Sequence, residues 1–179
     1  MKKLAILSHG KESGPNGKKL TMLKEVAEKH GYEAISLDYT QCNNSTERIT
    51  LLKEYIEKSS FESLVLVGSS MGGYVSTVLA NDYRLSGLFL LCPALYMKDK
   101  EEYTVGKFSP KCQNIEIIHG WSDEVVPFDH SIRFGKKNHA VVNLIEDNHR
   151  LQHSHAFMKK RFEWFLSNLN LEGNNPKNV

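Results

Sequence analysis

Leu64-Val65-Leu66-Val67-Gly68-Ser69-Ser70-Met71-Gly72-Gly73 is the stretch that decides the fold. Four apolar residues without polar alternation read as a strand buried on both faces. Gly68 to Gly72 then fit the pattern G-x-S-x-G, and Tyr74–Ala80 continues with helical spacing. Strand, sharp turn and helix are the context in which this pattern carries chemistry. Glycines are needed where strand and helix approach closely, and the central serine is left on a strained turn with its hydroxyl above the sheet. Ser70 is therefore the candidate nucleophile, and Ser69 is out of register. A phosphate-binding turn is the other reading of a glycine-rich strand-to-helix loop. It requires G-x-x-x-x-G-K-[ST]. The Gly68 loop has no lysine, and around Gly17-Lys18 the two ends of the pattern are occupied by Glu12 and Lys19.

Working outward, similar apolar runs recur at Leu4–Leu7, Ala34–Leu37, Leu88–Leu91, Ile115–Ile118 and Val141–Ile145. Helical stripes lie between them. Leu20, Leu23, Ala27 and His30 share one face, with Gly31 placed to cap it. Asn44 and Glu47 resemble a capping box ahead of Ile49, Leu52 and Ile56. Met158, Phe162, Phe165, Leu166 and Leu169 form a last stripe that reads as core packing. This alternation predicts an α/β fold: a three-layer α/β/α sandwich around a mostly parallel six-stranded sheet with right-handed crossovers. The 179 residues fit a single domain, read as residues 1–170 with a flexible tail at 171–179.

Composition narrows the function classes. With 23 Lys+Arg against 21 Asp+Glu, a net charge of +2 gives no reason to expect a nucleic-acid partner. No apolar run nears the ~18 residues of a membrane span. Met1–Leu7 imitates the start of a signal peptide, but the apolar run stops at Ser8-His9-Gly10 and reads as the first strand. Cys42, Cys92 and Cys112 are odd in number and lack CxxC spacing, so they read as inert thiols and point to a cytoplasmic location.

In a parallel sheet the working residues sit just past the carboxyl ends of the strands. A serine hydroxyl is a weak nucleophile and needs a histidine to take its proton and an acid to orient that histidine. Asp123 lies in the loop after the fifth strand, and His149 just past the sixth, so the chain order is Ser70, Asp123, His149. Glu124 and Asp147 are fallback acids. Among the eight histidines, His30, His130 and His139 read as surface residues. His119 reads as structural, and His9 as a support for the loop after the first strand. His149 and His153 at i, i+4 with Asp147 nearby suggest zinc, but Arg150 stands where H-E-x-x-H needs glutamate. No metal site is assigned.

The tetrahedral intermediate requires two backbone N–H donors. The first is expected from Met71 and the second from Lys11, in the loop that also carries His9 and Gly10. Pro93–Lys111, with Leu95 and Tyr96, is placed either to wall an acyl pocket or to cover the sheet. His9, Gly10, Leu95, Tyr96 and Trp121 are the expected pocket residues. The segment is too short for a lid domain, so an open cleft is expected.

Together, His9-Gly10, Gly68–Gly73, His119–Pro127 and His149 resemble the α/β-hydrolase superfamily, in particular its small, lidless, esterase-like and thioesterase-like members. The resemblance spans nearly the whole chain. It implies hydrolysis of a small-molecule carboxylic ester or thioester through an acyl-enzyme. Ser70 would be the nucleophile, Asp123 the acid, His149 the base, and Met71 and Lys11 the oxyanion donors. No cofactor is implied. The superfamily's usual two leading strands are missing, and Asn148 stands where a glycine commonly precedes the histidine. A binding protein that kept the fold without catalysis, and an acyltransferase using the same three residues, are the alternatives. Oligomeric state is not legible.

Overall fold

The computed structural model describes residues 2–97, 103 and 106–173, with side chains described through residue 169. Strand and helix alternate as the hydrophobic pattern predicts, except that the fourth strand is followed by the fifth with no helix among the described residues between them. The order is β1 (Lys3–Ser8), α1 (Lys18–Lys29), β2 (Glu33–Leu37), α2 (Ser45–Lys58), β3 (Ser63–Ser69), α3 (Met71–Ala80), β4 (Gly87–Leu91), β5 (Ile115–Gly120), α4 (Phe128–Asn138), β6 (Val141–Ile145) and α5 (His155–Gly173). The helix α5 thus runs through residues 171–173; the rest of the expected tail, 174–179, lies outside the described residues.

The six strands form one sheet in the order β2-β1-β3-β4-β5-β6, every pair parallel. Alternate side chains feed two cores. Leu4, Ile6, Leu64, Leu66, Leu88, Leu90, Ile115 and Ile117 meet α2, α3 and α4 through Leu52, Ile56, Tyr74, Val75, Leu79 and Phe134. Ala5, Leu7, Val65, Val67, Phe89, Leu91 and Ile118 meet α1 and α5 through Leu20, Leu23, Met158, Phe162 and Phe165. Both faces are covered, which is why the strands read as unbroken apolar runs. Phe89, central in the sheet, packs against Phe162 and Phe165 at ring separations of 4.8 and 5.4 Å.

The helix ends follow their capping signals. Gly31 follows α1 with φ +82°, a conformation that costs glycine little. Asn44 Oδ1 accepts the Glu47 N–H at 3.0 Å, while Glu47 reaches back to the Asn43 N–H at 2.8 Å, one residue earlier than a standard capping box.

The strand order reverses between β1 and β3: α1 leads outward to β2, and α2 returns over β1 to β3. Their carboxyl ends, paired Ser8 to Gly68, therefore flank the crevice where a doubly wound sheet binds ligands. Close approach here is a steric requirement. A Cβ at Gly72 would overlap the Ser8 carbonyl oxygen, and one at Gly68 would overlap the backbone of Gly72 and Gly73. Gly72→Ala is expected to destabilise the fold by about 3 kcal/mol, read as a lower urea midpoint. Gly14→Ala, where nothing lies within 4 Å of the added carbon, should leave the midpoint in place. Equal midpoints for the two variants would contradict this packing.

Candidate active site

The end of β3 turns into α3 through Ser70, whose backbone lies at φ 53°, ψ −117°. Few non-glycine residues adopt positive φ, and the conformation costs about 1–3 kcal/mol. Three hydrogen bonds hold it there. The Ser70 N–H donates to Leu91 O at 2.9 Å, and Ser70 O accepts from the N–H of Tyr74 at 3.1 Å and of Ala94 at 3.0 Å. The hydroxyl is left above the carboxyl edge of the sheet.

The loops after β5 and β6 are tied together by backbone. The Trp121 N–H donates to Ile145 O at 2.8 Å, and the Ser122 N–H to Asp147 O at 3.0 Å. This pairing brings Asp123 and His149 to Ser70. His149 Nε2 lies 2.9 Å from Ser70 Oγ, and its Nδ1 lies 2.7 Å from Asp123 Oδ2. The Asp123 carboxylate is fully buried, and every neighbour on it donates. Oδ1 accepts from the N–H groups of Val125 and Val126, each at 2.8 Å, and Oδ2 also lies 3.0 Å from His119 Nε2. Burial alone would raise the Asp123 pKa, but the hydrogen bonds from His119, His149 and Val126 outweigh it and hold the carboxyl well below its ordinary value.

His119 is the residue that sequence reasoning undervalued. Its Nε2 faces Val126 O at 3.0 Å as well as Asp123, and its Nδ1 lies 2.7 Å from Ser131 Oγ on α4. A carbonyl can only accept, so Nε2 carries a proton. Strand parity was the available signal. His119 shares its face with Ile115 and Ile117, the face that α4 covers.

The fallback acid Asp147 serves the loop instead. It accepts from the Asn148 N–H at 2.8 Å, the His153 N–H at 3.0 Å and the Ser154 hydroxyl at 2.6 Å, which fixes the entry to α5. With Asp147 so engaged and His149 turned to Ser70, these residues do not converge as zinc ligands. Cys92, His119 and Asp123 do have ligand atoms within 4.8 Å of one another. The His119 nitrogens and the Asp123 oxygens there are already in hydrogen bonds, and burial pushes the Cys92 thiol far up, keeping it protonated. Burial also pushes Cys112 up to about 12, as expected of an inert thiol.

Gly10 packs beside the nucleophile, since a Cβ built on it would stand 3.5 Å from Ser70 Cβ. His9 is buried behind that loop. Its Nε2 accepts the Tyr39 N–H at 3.0 Å and its Nδ1 donates to Gly10 O at 2.7 Å. Burial lowers its pKa, opposed by the Gly10 bond and assisted by the nearby Arg48 charge, so the ring is a neutral support.

A cleft of about 250 Å³ opens at the β1/β3 crevice. Lys11 and Met71 line it together with Tyr39, Thr40, Asn43 and Arg48. Of the expected pocket residues, Gly10 stands beside Ser70 with His9 behind it, while Leu95, Tyr96 and Trp121 do not line this cleft. Leu95 and Tyr96 are buried in the core, where Tyr96 packs on Phe108 at 5.2 Å between rings. The described parts of the 93–111 segment thus cover the sheet, while 98–102, 104 and 105 lie outside the described residues. Trp121 is 51% exposed and stands edge-on to Phe128. The rest of this cleft's lining comes from the loop between β2 and α2, which has no motif to draw attention to it, and Ser70 and His149 are not among the lining residues.

A profile of the uncharacterised protein family UPF0227 matches residues 4–116. The chain belongs to the UPF0227 family. The match takes in Ser70 but ends before Asp123 and His149. A protein assigned to the alpha/beta hydrolase superfamily from Xanthomonas campestris pv. campestris shares 28% identity and superposes with a TM-score of 0.80, covering 93% of this chain and 99% of its own. Est1E from Butyrivibrio proteoclasticus shares 18% identity at TM-score 0.80, with 95% and 89% coverage. The ydeN gene product of B. subtilis shares 18% at 0.77, with 92% and 99% coverage. No curated protein matches. This UPF0227 chain has the α/β-hydrolase fold and is a member of that superfamily. Among the described residues no helix is long and apolar enough to cross a membrane.

The charge of Asp123 has a measurable consequence. Its carboxyl in the fold lies below the 3.8 of a free one, so the stability it adds is present above about pH 4 and is lost as pH falls toward the folded value. The Tm gap between wild type and Asp123→Asn should be wide at pH 7 and close on acidification. A gap that stays constant with pH would show that the carboxylate charge is not what the network holds.

Proposed function

We propose that this chain is a serine hydrolase that cleaves a carboxylic ester or thioester. The observation that carries the reading is the unbroken hydrogen-bond chain from Ser70 through His149 to Asp123 on a strained strand-to-helix turn. Ser70 Oγ attacks the carbonyl carbon while His149 Nε2 takes its proton, and Asp123 stabilises the resulting imidazolium. The oxyanion forms against the N–H groups of Met71 and Lys11. Met71 N–H is the first amide of α3, so the helix offers it no carbonyl, and the helix's positive end favours the negative charge. His149 then gives its proton to the departing alkoxide or thiolate, leaving the acyl group on Ser70. Water, deprotonated by His149, releases the acid and restores the hydroxyl.

The superfamily membership supports hydrolysis, and Est1E, a relative in fold, has a solved structure with ferulic acid bound, a carboxylic acid of the kind such a reaction releases. The cleft beside Met71 and Lys11 carries Thr40, Asn43 and Asn44, so an acyl group seated there would be short or polar rather than a long alkyl chain.

Kinetics with p-nitrophenyl esters of increasing chain length, alongside acyl thioesters, test both parts. Acetyl and butyryl esters should turn over faster than decanoyl. Ser70→Ala and His149→Ala should each lower kcat by about 10⁴-fold or more, and the double variant little further, because the residues act as a unit. A fluorophosphonate should label wild type and leave Ser70→Ala unlabelled. Turnover that survives Ser70→Ala would overturn the assignment, and a competing alcohol that captures the acyl group in preference to water would identify a transferase.

A further inference from the structure

The reading above assigns an oxyanion donor to Lys11 N–H without saying what aims it. Resting on that reading, we propose that Arg48 is a positioning residue for the oxyanion site. Arg48 lies in the first turns of α2, on the buried line Ser45, Arg48, Leu52 and Ile56, and is only 3% exposed. Its Nη1 donates to His9 O at 2.9 Å and to Gly10 O at 3.3 Å. The guanidinium stands 5.2 Å from the Tyr39 ring centroid, and the Tyr39 hydroxyl meets Ser8 Oγ at 2.8 Å. Gly10 O also accepts from His9 Nδ1 at 2.7 Å. Two successive carbonyls at the end of β1 are thereby held by one buried cation and one neutral imidazole.

The geometry of the peptide unit turns this grip into an aim. In a trans peptide the C=O and N–H point in opposite directions, and the described chain has no cis bonds. The Gly10 oxygen belongs to the peptide whose N–H is that of Lys11. Fixing the oxygen against Arg48 fixes the Lys11 N–H on the side away from it, in a loop whose Gly10 packs beside Ser70, where an added Cβ would stand 3.5 Å from the Ser70 Cβ. A cation on the carbonyl also polarises the amide and makes its N–H a stronger donor. Burying a guanidinium is costly, and a neutral donor would suffice to tether a loop. The charge is what a developing oxyanion uses, since a dipole already in place needs no reorganisation during the reaction.

The test compares wild type with Arg48→Met and Arg48→Lys on p-nitrophenyl acetate, with a trifluoromethyl ketone as transition-state analogue and ¹⁵N relaxation of the Lys11 amide. Arg48→Met should lower kcat by about 10–100-fold with KM within about threefold. Affinity for the ketone should fall by the same factor as kcat, and the pH profile should keep its shape because Ser70, His149 and Asp123 are untouched. Arg48→Lys, which keeps the charge, should recover part of the loss. Should Arg48→Met fail to fold, the lysine variant carries the test: lowered kcat and ketone affinity in proportion support the role, and wild-type values for both overturn it. A loss confined to KM also overturns it. If wild type neither hydrolyses esters nor takes up a fluorophosphonate, the hydrolase reading is what has failed. The Lys11 amide then decides the clamp by itself: greater mobility in the variants supports it, and identical relaxation removes it.

Discussion

Everything at the carboxyl edge of this sheet depends on holding one serine in a backbone conformation it does not favour. Ser70 at φ 53° is strained, and it persists because β4, α3 and the chain beyond β4 each contribute a hydrogen bond to its backbone. The same turn requires α3 to start almost in contact with β1, so glycine is needed at positions 68 and 72. Strain, glycines and switch point are one constraint seen from three sides. The turn raises the hydroxyl above the sheet, the absent side chains admit the helix, and the reversal of strand order opens a crevice that reaches the neighbouring Met71.

Around that serine the electrostatics are arranged in two separate supports. One is the buried Asp123 carboxylate, fed by four donors, which fixes the orientation of His149 from below. The other is the Arg48–His9–Tyr39 cluster at the end of β1, which grips the loop on the opposite side of Ser70. The first runs through β5, β6 and α4 and the second through β1, β2 and α2, so residues far apart in sequence meet at the nucleophile. A six-stranded sheet suffices for both, since each support sits at a strand end and draws on its immediate neighbours.

The sheet, the two-sided core and the serine turn were legible because each follows from a local pattern: apolar runs of strand length, stripes of helical spacing, and glycines flanking a serine. Strand-end position together with chain order pointed to Asp123 and His149. The supports were not legible, for a physical reason. Arg48 sits four residues before Leu52 on a buried helical line, but a charge in such a line reads as an exposed edge until the partner carbonyls of His9 and Gly10, thirty-nine and thirty-eight positions away, are in place. His119 is structural, as its place at a strand end suggested, but its bond to Asp123 was not legible because its partners Val126 and Ser131 offer no motif. Residues 93–111 could be read either as a pocket wall or as a cover for the sheet, because apolar residues suit both. Leu95 and Tyr96 are buried in the core that α3 and α4 share, and the polar loop after β2 lines the crevice.

The most direct measurement is the mass of the protein itself during turnover. Mixed with a p-nitrophenyl ester and quenched in acid within the first turnovers, wild type should gain the mass of one acyl group, and peptide mapping should place it on Ser70. Ester hydrolysis with no such adduct under conditions where acylation outruns deacylation, or an adduct on any other residue, would contradict the assignment of Ser70 as the nucleophile.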